Sequence, residues 1–121
     1  MTIEECYQEL GGNYAEVCTR LPSPKLVQKF AGKFLEDQSY ATLCGQMDAN
    51  NRAEAFRAAH TLKGVCANLS FTRLFTSSAA LTETLRPESS AIPAGAMREL
   101  EEVCRDYQTT VEAIRRFLCA A

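Results

Sequence analysis

Apolar residues in this chain of 121 residues recur at spacings of three and four, which is the period of an α-helix. Alternating apolar and polar runs rich in Val, Ile and Thr, which would indicate strands, do not occur. The pattern therefore predicts an all-α protein. Glycines, prolines and capping residues divide it into helices over residues 2–10, 13–20, 24–49, 51–69 and 72–86, followed by one C-terminal helix.

Residues 24–49 are predicted to form one long helix that begins at the Ser23-Pro24 entry signal. Its apolar positions keep helical spacing, but the run EDQS at 36–39 is polar and marks a point where the helix can break. The residues assigned to its core stripe are Val27, Phe30, Phe34, Ala41 and Cys44.

The next helix begins at a capping-box-like pair, Asn51 with Glu54, and the helix after it is ended by Pro87. After the loop PESSAIP, spacings of three and four predict a heptad-like seam along the last helix. That seam consists of Met97, Leu100, Cys104, Tyr107, Val111, Ile114 and Leu118.

Four substantial helices joined by short connections are typical of an antiparallel four-helix bundle. We therefore expect one domain over residues 1–121, in which residues 23–121 form the bundle. Residues 1–22 are expected to add short N-terminal helices that lie over one end of it.

The formal net charge of −2, with both signs interspersed, leaves no basic stripe for nucleic acid. The opening MTIEECYQELGG lacks the basic and apolar regions of a signal peptide, and no 18-residue apolar run follows. We expect a cytoplasmic protein that has no membrane partner and is a monomer.

The six cysteines, at positions 6, 18, 44, 66, 104 and 119, form no CxxC pair. We expect them to be reduced and mostly buried. Because there is also only one histidine, the usual close-spaced zinc half-sites cannot be built, and no metal site is expected.

The single histidine, His60, lies opposite the apolar stripe of its helix. At 100° per residue, the residues on the far side of the helix are Ala55, Ala58, Leu62, Val65, Cys66 and Leu69. His60 is therefore predicted to face solvent, close to Lys63 and Gly64.

Gly64 is unexpected here because a glycine inside an exposed helix costs about 1 kcal/mol relative to alanine. Its missing side chain would leave room beside His60 for another molecule. Lys63 is within reach of an anion on the ring, and a neutral imidazole is a nucleophile near pH 7. These features together favour a phosphoryl group, whereas a lone histidine beside a lysine is most often ordinary surface.

The stretch AHTLKGVCANLSFTRL, residues 59–74, resembles the signature of histidine-containing phosphotransfer (HPt) domains. In that signature a helix carries His-x-Leu-Lys-Gly, then a small residue and a Leu-Gly pair. Here Ser70 stands in place of the second glycine, and ALTETL only approximates the family's Leu-Glu pair.

The resemblance implies a phosphorelay intermediate in two-component signalling rather than an autonomous kinase. His60 matches the phosphoacceptor, Lys63 the phosphate-stabilising lysine and Gly64 the residue that leaves room for a partner. The implied partners are response-regulator receiver domains or a sensor histidine kinase. The chain itself needs no cofactor, since Mg²⁺ is expected on the receiver.

A docking surface around His60 is expected to be apolar with a polar rim. Its candidates are Phe56, Arg57, Ala67 and Phe71, although for Phe56 a core position remains open. The family often places a glutamine from the preceding helix near the phosphoacceptor, and Gln38 is the candidate here.

Two other functions remain open at this stage. One is a helical interaction or dimerisation module that has no phosphate chemistry and uses the C-terminal seam as a coiled coil. The other is a receiver-binding domain that cannot be phosphorylated.

Overall fold

Helices make up the regular secondary structure of the computed structural model, which describes residues 1–88 and 91–119. The predicted all-α class is confirmed. In chain order the elements are α1 (Ile3–Leu10), α2 (Tyr14–Arg20), α3 (Pro24–Lys33), a 3₁₀ turn (Phe34–Glu36), α4 (Ser39–Asp48), α5 (Arg52–Leu69), α6 (Thr72–Leu85) and α7 (Ala96–Cys119).

Helices α4 to α7 form a four-helix bundle, because each packs against the next one in the chain. The prediction counted residues 24–33 within the first helix of the bundle, whereas they form the separate helix α3. The ring of helices is closed by Tyr40 of α4 and Tyr107 of α7, whose rings stack with centroids 3.8 Å apart. Short connections join α4 to α5 and α5 to α6, so these neighbours run antiparallel.

The helix predicted over residues 24–49 is broken at the polar run that marked its weak point. After the 3₁₀ turn, Asp37 is extended, with φ −70° and ψ 133°. Its carboxylate accepts a hydrogen bond from the Ser39 amide at 2.9 Å, so the side chain starts α4 anew. The change of direction leaves Phe30 and Ala41, both predicted core residues, exposed.

The N-terminal helices are held tightly against the turn between α5 and α6. Gly11 has φ +76°, and a Cβ on Gly12 would lie 2.8 Å from the Ser70 carbonyl oxygen. The Asn13 amide donates to that same oxygen at 2.9 Å. The Tyr7 hydroxyl donates to the carbonyl of Leu69 at 2.7 Å. Residues 1–22 therefore anchor the end of α5.

A continuous chain of aromatic rings links these N-terminal helices to the bundle. Four of the five neighbouring pairs have centroids 5.2 to 5.8 Å apart, within the range of favourable aromatic pairs, and the stacked pair Tyr40–Tyr107 is closer, at 3.8 Å. Its members, in spatial order, are Tyr14, Tyr7, Phe71, Phe34, Tyr107 and Tyr40. The two parts of the chain therefore share one core.

The buried stripe of α7 differs from the predicted seam. Met97 and Leu118, its two ends, are 52% and 44% exposed. Both α1 and α6 pack against α7, so the buried face of α7 is wider than a heptad seam. The buried residues of α7 are Ala96, Val103, Thr110, Val111, Ala113 and Ile114. Ser89 and Ser90 of the predicted loop before α7 lie outside the described residues.

The expectation that most cysteines are buried is wrong, because only Cys6 and Cys66 are. Burial raises the pKa of the Cys6 thiol to about 11 and also raises that of Cys66, so both stay protonated at neutral pH. All six cysteines are free thiols, and Cys119 is exposed.

Candidate functional site

Helix α5 carries His60 near its middle and is fixed at both ends. The Asn51 side chain accepts a hydrogen bond from the Glu54 amide, which caps the first turn. Ser70 ends the helix in the left-handed conformation, with φ 56°. His60 is exposed, as the sequence predicts.

The face of α5 opposite His60 is rich in alanine, which lets α4 and α6 approach closely. The predicted stripe is confirmed except that Val65 is only half-buried, and Ala59 joins the buried face. Its buried members are Ala55, Ala58, Ala59, Leu62, Cys66 and Leu69. Close packing on that side holds the histidine on the outer wall of the bundle.

Gly64, one turn beyond His60, is exposed, and a Cβ placed on it would meet nothing within 4 Å. Packing within this chain therefore does not require a glycine at this position. The structure leaves an open patch beside the histidine, and its predicted use as room for a partner stays a prediction.

Lys63 is half-buried and has no ion-pair partner in the described part of the chain. The charge of Lys63 interacts electrostatically with the carboxylate of Glu83 in α6. Hydrogen bonds from Arg86 are the largest cause that lowers the pKa of the Glu83 carboxyl. The positive charges of Lys63 and of protonated His60 lower that pKa further, so α6 contributes a carboxylate close to the site.

Three of the predicted docking residues share the exposed side of α5 with His60. Phe56 is half-buried, with its ring stacked on the imidazole at a centroid distance of 6.0 Å. Arg57 is exposed and donates to Glu54 at 2.8 Å. Ala67 is exposed, and its carbonyl accepts from Arg20 at 2.9 Å. Their role in docking stays a prediction.

The prediction for Phe71 is wrong, because this side chain is fully buried. Its ring lies 5.5 Å from that of Tyr7 and 5.2 Å from that of Phe34. The residue follows the end of α5, where the chain turns inward. Phe71 therefore belongs to the core and is not available to a partner.

Gln38 lies beside α5 but is not bonded to the histidine. Its amide donates to the Glu36 carbonyl at 3.3 Å, and residues 1–88 and 91–119 contain no hydrogen bond between Gln38 and His60. It lines a shallow hollow together with Arg57 and Thr61. The structure thus places Gln38 near the site without showing the predicted role.

An apolar and basic surface on α3 was missed by the sequence analysis. Leu26 and Phe30 are 38% and 37% exposed. The ammonium groups of Lys29 and Lys33 each lie 5.8 Å from the centre of the Phe30 ring. A groove of about 430 Å³ separates this surface from α5. The sequence signal that could have predicted this surface is the set of lysines at positions 25, 29 and 33, with no acidic residue between them.

No helix in residues 1–88 and 91–119 combines the length and the hydropathy of a membrane span. Within the same ranges, no group of three or more His, Cys, Asp or Glu side chains could hold a metal ion.

An exposed histidine on the wall of a helical bundle, followed by a lysine and a glycine, is the feature on which the sequence resemblance rests. The chain belongs to the Hpt domain family, whose model matches residues 25–116. The resemblance seen in the sequence is thereby confirmed. Hpt domains are phosphotransfer carriers in two-component phosphorelays and interact with receiver domains and kinases. No curated protein and no solved structure matches the chain.

Proposed function

We propose that this chain is a histidine phosphotransfer protein that relays a phosphoryl group through His60. The donor is the aspartyl phosphate of a receiver domain or a sensor kinase, and the acceptor is the aspartate of another receiver. In this role the chain is a carrier that acts as a monomer and is not an autonomous enzyme.

The observation that carries the proposal is the exposure of His60 at the middle of a rigid helix, with open space over Gly64. A nucleophile held on a well-packed element can be presented to a docked partner with little loss of orientation. An exposed imidazole on a mobile loop would not have that advantage.

In the transfer step, the unprotonated ring nitrogen of His60 uses its lone pair to form a bond to phosphorus. The bond from phosphorus to the aspartyl oxygen breaks, and its electron pair stays on the departing carboxylate. The other ring nitrogen keeps its proton until water removes it. For transfer onward, the ring nitrogen first regains a proton from water. An aspartate oxygen of the second receiver then bonds to phosphorus, and the electron pair of the broken nitrogen–phosphorus bond returns to the His60 ring.

The two partners divide the work of stabilising charge on the phosphoryl group. Lys63 lies one turn from His60 and has no competing ion pair in the described residues, so its ammonium is free to neutralise a phosphoryl oxygen. We expect Mg²⁺ on the receiver, where aspartates are available to hold it, and no cofactor on this chain.

Docking is proposed to use Phe56, Arg57 and Ala67 around the histidine. We propose that the exposed Leu26 and Phe30 of α3 also contact the partner, from across the groove that borders the C-terminal part of α5. An apolar centre with a charged rim is typical of transient interfaces.

The test is to incubate the protein with a phosphorylated receiver, and separately with the small donor phosphoramidate, and to look for acid-labile label. Because His60 is the only histidine, we expect His60→Gln to lose all of it. Label that survives the substitution would reject His60. A receiver that binds without transferring would favour a phosphorylation-incompetent domain, and no label and no receiver binding would favour the interaction module.

A further inference from the structure

Phe56 and His60 form a stacked pair on the outer face of α5. Their rings are nearly parallel, at 15°, with centroids 6.0 Å apart. They are separated by four residues, which places them one above the other on a helix. The phenyl ring therefore lies along one side of the imidazole.

The phenyl ring is itself held by Arg86, which directly follows the last residue of α6. The guanidinium of Arg86 lies 5.1 Å from the centre of the Phe56 ring, within the range of a cation–π contact. Arg86 is oriented in turn by Glu83, whose two carboxylate oxygens accept from it at 3.2 and 2.7 Å. The planar guanidinium is well suited to bind a carboxylate and cover an aromatic face together.

Among the described residues, the charge of Glu83 also acts on His60, but no hydrogen bond fixes the direction of the imidazole. In residues 1–88 and 91–119, His60 has no hydrogen bond and no ion pair, and its single ring contact is with Phe56. Histidines that must present one nitrogen are commonly oriented by a hydrogen bond to the other. Here an aromatic stack takes the place of that bond.

We propose that Phe56, held by the Arg86–Glu83 pair, is a positioning residue that sets the direction of the His60 ring for phosphoryl transfer from a docked partner. This inference rests on the proposed function. Glu83 and Arg86 gain a role that no motif assigns to them.

The reason lies in the geometry of transfer between two folded proteins. A phosphoryl group on a docked receiver cannot adjust its position, so the attacking nitrogen must already point along the line of displacement. A small donor approaches the ring from whatever direction is open. The stack should therefore matter for transfer from a receiver and hardly at all for phosphoramidate.

The main variants are Phe56→Leu, which removes the ring, and Phe56→Tyr, which keeps it. Single-turnover transfer is measured over a range of phosphorylated-receiver concentrations. We expect Phe56→Leu to lower the saturating rate by roughly threefold to tenfold. The half-saturating concentration and the phosphoramidate rate should change less than the saturating rate does, and Phe56→Tyr should restore the transfer rate.

Phe75→Leu is the matched control, because Phe75 is also half-buried but stacks on no described ring. It should leave the saturating rate unchanged. Thermal unfolding of each variant shows whether any loss merely follows stability. Since the chain has one histidine, the NMR signals of its ring report the stack directly and should shift in Phe56→Leu.

A double-mutant cycle tests the part played by α6. Arg86→Ala should lower the saturating rate in the wild-type background and have no further effect when Phe56 is already leucine. Equal effects in both backgrounds would overturn the link from Arg86 to Phe56.

The remaining outcomes distinguish failure of the positioning role of Phe56 from failure of the proposed phosphotransfer function. A rise in the half-saturating concentration at an unchanged saturating rate would limit Phe56 to its proposed docking role and reject positioning. A wild-type protein that no donor labels would reject the proposed function, and the positioning role would be rejected with it.

Discussion

At the residue scale, Gly64 is a glycine that packing within the chain does not require. It lies in the middle of α5 and is exposed to solvent, and a Cβ at this position would have no neighbour within 4 Å. Neither a turn nor a close internal neighbour requires it. The stability that a glycine costs in a helix is therefore offset by no contact within the described residues, which is the situation expected at a surface kept open for a partner.

Two substitutions at Gly64 should affect different properties, the first the stability of the protein and the second the rate of phosphoryl transfer. Gly64→Ala should raise the free energy of unfolding by about 1 kcal/mol, since the helix gains propensity without a clash. Gly64→Gln should slow transfer from a receiver by roughly tenfold or more while phosphoramidate still labels His60. Chemical denaturation and single-turnover labelling measure the two effects.

Gly45 supplies the matched control, because it is also an exposed helical glycine with nothing within 4 Å of a Cβ. Gly45→Ala should stabilise the protein similarly, and Gly45→Gln should leave transfer unchanged. If Gly64→Gln transfers at the wild-type rate, the glycine has no part in partner access.

At the scale of elements, the end of the site helix is held by α2. Arg20 donates to the carbonyls of Ala67 and Asn68 at 2.9 and 3.2 Å, and also to the Ser70 hydroxyl. That hydroxyl donates to Glu16 at 2.7 Å. Ser70 adopts a left-handed backbone conformation, which is less favourable for serine than for glycine. The hydrogen bonds of the Ser70 side chain offset that cost.

This clamp should weaken in acid. The hydrogen bond from Ser70 is the largest cause that lowers the pKa of the Glu16 carboxyl below its ordinary 4.5, and Arg20 adds to it. A carboxyl with a lowered folded-state pKa stabilises the fold above about pH 4.5 and loses that contribution as pH falls through the folded value. Wild-type stability should therefore fall more steeply on acidification than that of Glu16→Gln.

Urea denaturation between neutral pH and pH values below 4.5 measures this difference. Glu102→Gln serves as the control, because Glu102 is an exposed residue of α7 whose side chain has no hydrogen bond or ion pair in the described residues. Parallel pH profiles for wild type and Glu16→Gln would contradict the clamp.

At the scale of the whole molecule, the aromatic chain joins the N-terminal helices to the bundle. Phe71 lies at its middle, fully buried between Tyr7 of α1 and Phe34 of the 3₁₀ turn. Because aromatic side chains bury large areas, loss of one central ring should loosen both parts together. The N-terminal helices are thus expected to unfold together with the bundle that carries His60.

Phe71→Ala should lower the free energy of unfolding by about 3–5 kcal/mol, as expected for a phenylalanine removed from a core. Phe30→Ala, at a position 37% exposed, should cost far less. Denaturation midpoints compare the two. If Phe71→Ala instead kept full stability and weakened receiver binding, the residue would be a docking residue after all.

Local pattern was sufficient to predict the helices and the direction of the phosphoacceptor candidate. The helical period on α5 placed His60 opposite Ala55, Ala58 and Leu62, and the structure agrees. The polar run at 36–39 marked the point where the predicted long helix breaks. Both features depend on residues within a few turns of each other, for which helical geometry alone decides the outcome.

Residues beyond the ends of regular helices could not be placed in this way. Phe71 follows α5 through a left-handed Ser70, so a helical projection gives no direction for its side chain. Phe30 had the spacing of a core residue, but the turn after α3 left it exposed. Gln38, on the far side of the break, lies beside the site without bonding the histidine.

By itself, then, the sequence determined the helical class, the face of α5 that points outward and the triplet of His60, Lys63 and Gly64, because each depends on the fixed period of one helix. Only the tertiary structure decided which side chains from other helices surround that triplet. Arg86 reaches Phe56, and Arg20 reaches the end of α5, across distances in the chain that no local pattern encodes. Packing between elements, rather than propensity within one, sets those contacts.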